Sequence, residues 1–149
     1  MKRFVFKLDT LLRVKRNKED EIKRRLAEKN REAESVRAEI KATETELKDF
    51  QKNVKVNRDG GGESVADLRH SVSYRNALKL KMLKAGQKLD NVMVEAYGIN
   101  QELIKAAQER RAVEIIREKR YEEWKKENAA AEQKFIDDLS QQMFVRANK

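Results

Sequence analysis

The sequence predicts an all-α protein, a long antiparallel two-helix coiled coil whose second helix overhangs the first. Three observations carry that expectation. The chain of 149 residues is 41% charged, which leaves too few apolar residues for a thick globular core but enough for one narrow stripe per helix. It contains no proline, so nothing removes a backbone donor inside a long helix. Its apolar residues recur every seven positions on either side of a single break, Gly60-Gly61-Gly62.

The glycines divide the chain. Three in succession carry a backbone entropy penalty that a helix does not tolerate, so the first helix stops before them. Residues 1–149 are therefore expected to form a single α-helical hairpin, with helix one over about 9–57, a turn over about 58–63 and helix two over about 64–144. Asp9 is the expected N-cap of the first helix. Ser64-Val65-Ala66-Asp67 reads as a capping box that restarts the second, with the Ser64 hydroxyl accepting an amide proton and Asp67 reaching back.

Helix one has two interleaved seams. One is Leu12, Glu19, Leu26, Ala33, Ile40, Leu47 and Val54; the other is Leu8, Lys15, Ile22, Lys29, Val36, Thr43 and Phe50. A repeat of seven sustained this long imposes a left-handed supercoil on a partner helix. Glu19, Lys15 and Lys29 interrupt it with polar side chains that weaken the seam and help fix register. In helix two the clearest seam is Leu89, Val92, Ala96, Ile99, Leu103, Ala106 and Val113, continued by Trp124 and Ala131, with Arg110, Arg117 and Arg120 on intervening seam positions. Tyr121, Trp124, Phe135 and Leu139 form a second set in which the register shifts. Nearer the turn the seam is expected at Val65, Leu68, Val72 and Met82, leaving Tyr74 and Leu78 off it. Gly86 and Gly98 weaken the helix interior and mark bends or close contacts.

Folding at Gly61 places residue 9 opposite about residue 113. The stretch from Glu114 to Lys149 then overhangs without a partner, on the order of 50 Å at the rise of an α-helix. It holds the single Trp, Tyr121, Phe135, Phe144 and a cluster of arginines. The net charge of +9 is concentrated at the start, where residues 1–25 carry ten basic and four acidic side chains. Arg110, Arg111, Arg117 and Arg120 with Tyr121 and Trp124 form either a solvated helix end or an interface patch of the residue types that anchor protein contacts. Tyr74 and Leu78, one turn apart, are either incidental exposed residues or a second docking patch.

Catalytic chemistry finds no footing. The one histidine, His70, lies near the turn without a constellation around it, and the glycine run lacks the Gly-Lys-Ser/Thr end of a phosphate-binding loop. No cofactor and no metal site is expected, because there is no cysteine and the carboxylates follow helical charge patterns. The basic stretch Arg13–Arg25 is interrupted by Glu19-Asp20-Glu21 and has no interleaved aromatics for base stacking, so no nucleic-acid partner is expected. The opening residues 1–9 are basic, but Lys7 and Asp9 break their apolar stretch. No run approaches the ~20 apolar residues of a membrane span. A cytoplasmic chain with no direct membrane insertion is the expectation.

The opening Phe6-Lys7-Leu8-Asp9-Thr10-Leu11-Leu12-Arg13-Val14-Lys15 and the tail Glu132-Gln133-Lys134-Phe135-Ile136-Asp137-Asp138-Leu139, joined by two long helices around a short glycine turn, resemble the FliJ family over essentially the whole chain. That resemblance implies a non-enzymatic component of the bacterial flagellar type III export apparatus, cytoplasmic and peripherally associated with the inner membrane. It implies three partners: the export ATPase hexamer, an export gate protein in the membrane, and export chaperones. The end bearing both termini would enter the ATPase ring, through Arg13, Arg110, Arg111, Arg117, Arg120, Tyr121 and Trp124. The family's gate contact, an aromatic residue and a leucine one turn later, would fall on Tyr74 and Leu78, although Lys81 and Lys84 make this face more basic. A generic coiled-coil scaffold dimerising through the overhang, and a basic nucleic-acid-binding helical protein, are the competing readings.

Overall fold

The computed structural model describes residues 3–62 and 64–147. Two helices account for nearly all of them, α1 over Asp9–Asp59 and α2 over Val65–Ala147. Among the described residues there is no strand. Met1, Lys2 and, in the turn, Glu63 lie outside the described residues.

The glycines end α1 by hydrogen bonding and backbone conformation. The Gly60 amide donates to the Val56 carbonyl at 3.1 Å, and the Gly61 amide to the Arg58 carbonyl at 3.2 Å. Gly61 has φ +77°, a left-handed conformation in which a Cβ is disfavoured. The box that opens α2 is reciprocal: the Asp67 amide donates to Ser64 Oγ at 3.2 Å, and the Ser64 amide donates to the Asp67 carboxylate at 3.1 Å. The Ser64 hydroxyl also donates to that carboxylate at 2.6 Å, and these bonds hold the Asp67 pKa below the ordinary carboxylate value. At the start of α1 the cap differs from expectation. The first intrahelical bond runs from the Leu12 amide to the Leu8 carbonyl at 2.9 Å, so Leu8 is the flanking residue and Asp9 sits inside the first turn. There its negative charge still complements the helix dipole.

The chain divides into two compact units, Ile22–Leu103, and a second composed of Met1–Glu21 with Ile104–Lys149. In the Ile22–Leu103 unit, which contains the turn, α1 and α2 pack antiparallel along one apolar seam. α1 buries Ile22, Ala33, Val36 and Thr43, with Leu26, Ile40, Leu47, Phe50 and Val54 half-buried between and beyond them. These are the predicted heptad positions. Thr43 is accommodated because its hydroxyl donates to the Glu39 carbonyl at 2.9 Å within its own helix. Lys29, a polar seam position, reaches across to Glu95 at 2.6 Å. The bonds to Glu95 and to Glu32 raise its pKa.

On α2 the seam near the turn is not the predicted one. Leu78 is 6% exposed, and the inward line runs Ser71, Arg75, Leu78, Met82, Ala85, Leu89 and Val92. Val65, Leu68 and Val72 are exposed instead. The reason is phase. The line through Leu78 keeps the alternating three- and four-residue spacing of the long seam, whereas Val72 to Met82 breaks it, and a continuous helix cannot rotate within two turns. Register shifts too. Folding at Gly61 would set Phe50 opposite residue 72 and Lys29 opposite residue 93; their observed partners are Tyr74 and Glu95. The helix ends at Asp59 and Val65 place the turn's centre at Gly62.

α2 passes through Gly86 and Gly98 without interruption. A Cβ at either would meet nothing within 4 Å, so neither marks a close contact within the chain.

In the unit of Met1–Glu21 with Ile104–Lys149, the start of α1 packs on α2 through Leu12, Ala106 and Val113. Leu8, the first predicted seam residue, precedes the helix and is exposed. Polar seam positions again form interhelical ion pairs, Lys15 with Glu109 at 2.7 Å and Arg16, beside the seam, with Glu114 at 3.0 Å. Those partners hold the Glu109 and Glu114 pKa values below the ordinary carboxylate value.

Candidate protein-binding site

Within the unit that carries both termini, α2 beyond Val113 carries three features: an aromatic cluster, the exposed cation Arg117 with no ion pair among the described residues, and a bare apolar stripe.

The aromatic cluster is built by the residues that precede α1. Residues 3–6 are not helical, and they lie back along α2. The Phe4 ring meets Tyr121 edge-on, with centroids 5.2 Å apart, and Trp124 at 5.8 Å; Tyr121 and Trp124 stack at 5.7 Å. Together with Arg3, Val5 and Phe6, this segment walls a cavity of about 590 Å³ whose other side is Ile116, Arg120, Glu123 and Trp124. The predicted overhang is therefore shorter than residues 114–149. The first turns of α2 beyond Val113 are covered by the strap of residues 3–8, which no periodicity in the sequence reveals. A Phe at position 4 and a Val-Phe pair within a charged chain was the only available hint.

The arginines separate into two groups. Arg110 occupies a seam position and binds Glu19 of α1, which is 5% exposed; it also donates to Glu114 at 2.6 Å. Glu19 first and Glu114 second raise its pKa, so it is a structural cation. Arg111 is held by Glu118 at 2.8 Å and lies 3.7 Å from Glu114. Arg120 makes one exposed pair with Glu123 at 3.3 Å. Arg13 and Arg117 are exposed and form no ion pair among the described residues. Arg117 lines a cavity with Phe4, Arg16, Glu114, Glu118 and Tyr121. Of the predicted site residues, the structure brings Arg117, Arg120, Tyr121 and Trp124 together around Phe4. It assigns Arg110 and Arg111 to local ion pairs.

The bare stripe explains the register shift. Tyr121, Trp124, Asn128, Glu132, Phe135, Leu139 and Met143 follow a three-four-four spacing, an eleven-residue repeat in place of seven. Such a repeat removes the left-handed supercoil that a seven-residue seam imposes. Asn128 and Glu132 bond to each other at 3.2 Å. Phe135, Ile136, Leu139, Met143 and Phe144 are exposed.

Tyr74, in the other unit, is exposed at its edge, meets the Phe50 ring edge-on with centroids 4.8 Å apart and donates its hydroxyl to Glu46. Glu46 raises its pKa. Leu78 lies in the buried seam, so the two do not form an exposed pair.

Among the described residues no group of acidic or imidazole side chains is arranged to hold a metal ion, and no helix is long and apolar enough to cross a membrane. Comparison with curated proteins and with solved structures gives no match. The family model for flagellar FliJ protein matches residues 4–149, from the aromatic strap to the last residue. The chain therefore belongs to the FliJ family, a structural component of the flagellar export apparatus.

Proposed function

We propose that this chain is the coiled-coil stalk of the export ATPase: it binds the hexameric ring, promotes its assembly and ATP turnover, and links it to the export gate and to substrate chaperones. The observation that carries this reading is the juxtaposition of cations without a structural task, Arg117 above all, with the Phe4–Tyr121–Trp124 cluster and the exposed stripe from Phe135 to Phe144. A cationic helix surface with aromatic anchors suits an acidic cavity in a partner, where charge speeds encounter and fixes register while apolar contacts supply affinity. Arg13, Arg117 and Arg120 are the cations available for that contact. At the gate, Tyr74 is the available member of the predicted pair.

The test is ATP hydrolysis by the flagellar export ATPase of the same organism, with and without this protein, followed alongside particle size. Stimulation together with hexamer formation supports the stalk. Stimulation should be lost when Arg117 and Arg120 are both changed to Glu, with helicity retained; undiminished stimulation removes those residues from the claim. The exposed Phe135–Phe144 stripe also favours a second reading, a scaffold that dimerises there. A monomer at high concentration argues against it.

A further inference from the structure

α2 carries a second stripe on the face opposite its buried seam. At 100° per residue, Leu80, Leu83, Gln87, Asp90, Val94, Tyr97 and Gln101 share one face, with the same alternation of three and four that defines the core seam. Core residues Val92, Ala96 and Ile99 face α1, whereas Val94 and Tyr97 are 72% and 67% exposed and Leu80 and Leu83 are 51% and 59% exposed. In a chain this rich in charge, Asp90 is the only charged member of the stripe. Gly98 adjoins Tyr97 with open space where a side chain would stand. It carries a helix-propensity penalty with no return inside the chain, and it leaves the backbone open to close approach.

The surroundings of Leu80 and Leu83 specify charge. Between Asp67 and Asp90 the chain has six Lys/Arg and no acidic residue. Lys79, Lys81, Lys84 and Lys88 are exposed and form no ion pair among the described residues. Elsewhere in this unit seam-edge cations are answered across the helices, as Arg25 is by Glu102 at 3.1 Å. A heptad-spaced stripe with Leu80, Leu83, Val94 and Tyr97 exposed accepts an α-helix, and Lys79 and Lys84, the unanswered lysines at its flanking positions, call for carboxylates at the flanking positions of that helix. A second copy of this chain, at +9, would bring like charge to those lysines.

We infer that the outer face of α2 from Leu80 to Gln101 is a docking seam for an acidic amphipathic helix of another protein, which would lie against α2 as a third helix. This inference does not rest on the ATPase reading, since every residue in it belongs to the Ile22–Leu103 unit.

The probe is a synthetic, fluorescein-labelled helix with Leu at heptad positions a and d and Glu at e and g, followed by anisotropy against the full chain. A counterpart with Lys at e and g is run beside it. The expected result is saturable binding of the Glu peptide that weakens with salt and is absent for the Lys peptide. The L83Q/Y97Q and K79E/K84E variants should each weaken it at least about tenfold. These side chains are exposed, so circular dichroism should be unchanged. K52E, at an exposed lysine of α1 outside both surfaces, should leave binding as it is. Equal binding of the Lys peptide, or undiminished binding to L83Q/Y97Q, overturns the inference. So does a concentration-dependent dimer of the chain that L83Q/Y97Q abolishes, because the occupant is then a second copy.

Discussion

Glu19 on α1 and Arg110 on α2 share one ion pair at the centre of the seam in the termini-bearing unit, where the carboxylate is almost fully withdrawn from solvent. Both are heptad positions that a coiled coil ordinarily fills with apolar side chains. Breaking such a pair from one side strips the withdrawn carboxylate of its Arg110 partner, whereas replacing both partners with well-packed apolar groups removes the desolvation cost of the pair. Arg110→Leu should therefore lower the thermal midpoint. Glu19→Leu with Arg110→Leu should restore it to the wild-type value or exceed it, as a thermal melt of the four proteins of the cycle will show. The double variant should also tolerate alternative registers, because the pair pins residue 19 against residue 110.

The strap gives the second prediction. Its Phe4 ring packs on both Tyr121 and Trp124, and Trp124 is the only tryptophan, so its emission reports this contact alone. Phe4→Ala should shift the emission to the red, increase quenching by iodide and destabilise the unit by about 1–2 kcal/mol, from lost burial and lost ring contacts. An unchanged spectrum would mean that the strap does not cover Trp124 in solution.

Acidification should loosen the termini-bearing unit. Glu109 and Glu114 have pKa values lowered by Lys15 and by Arg16 with Arg110. A carboxyl group whose folded pKa is depressed contributes stability that is full above its ordinary value and disappears as pH falls through the lowered one. Thermal midpoints measured from neutral to acid pH should fall across that window. Glu109→Gln and Glu114→Gln should flatten the fall, and added salt should shrink it because the pairs are partly exposed.

Ser64→Ala should fray the start of α2. The substitution removes the acceptor for the Asp67 amide and one donor to the Asp67 carboxylate, at a cost of about 1 kcal/mol. Amide exchange should quicken in the first turn, Val65–Leu68, while exchange at Val92 and Ala96 in the core stays as it was. Exchange that rises equally along α2 would contradict a local cap.

Much of the fold is legible in the residues themselves. The α1 seam, the helix break at the glycines and the Ser64–Asp67 box are properties of residues within a few turns of one another, and periodicity and capping report such properties directly. The seam residues Lys15, Glu19 and Lys29 were legible as register devices because a charge at a heptad position needs an answer across the interface. The candidate site was legible only in part. Arg117, Arg120, Tyr121 and Trp124 stood out by type, but Arg110 and Arg111 looked the same in sequence and are used in ion pairs. The outer stripe from Leu80 to Gln101 follows the same rule of three and four, yet it was hidden by the stronger seam on the same helix.

Sequence alone determined two long helices, their seven-residue seam on α1 and where each begins and ends to within a few residues. Tertiary structure decided the phase of α2 near the turn, the turn's centre at Gly62 and the docking of residues 3–8 on Tyr121 and Trp124. The physical reason is range. Period and capping are set by backbone geometry over one or two turns. Phase at Leu78 is inherited along a stiff helix from the long seam beyond it. Phe4 finds its place through contacts more than a hundred residues away in the chain, which no local pattern encodes.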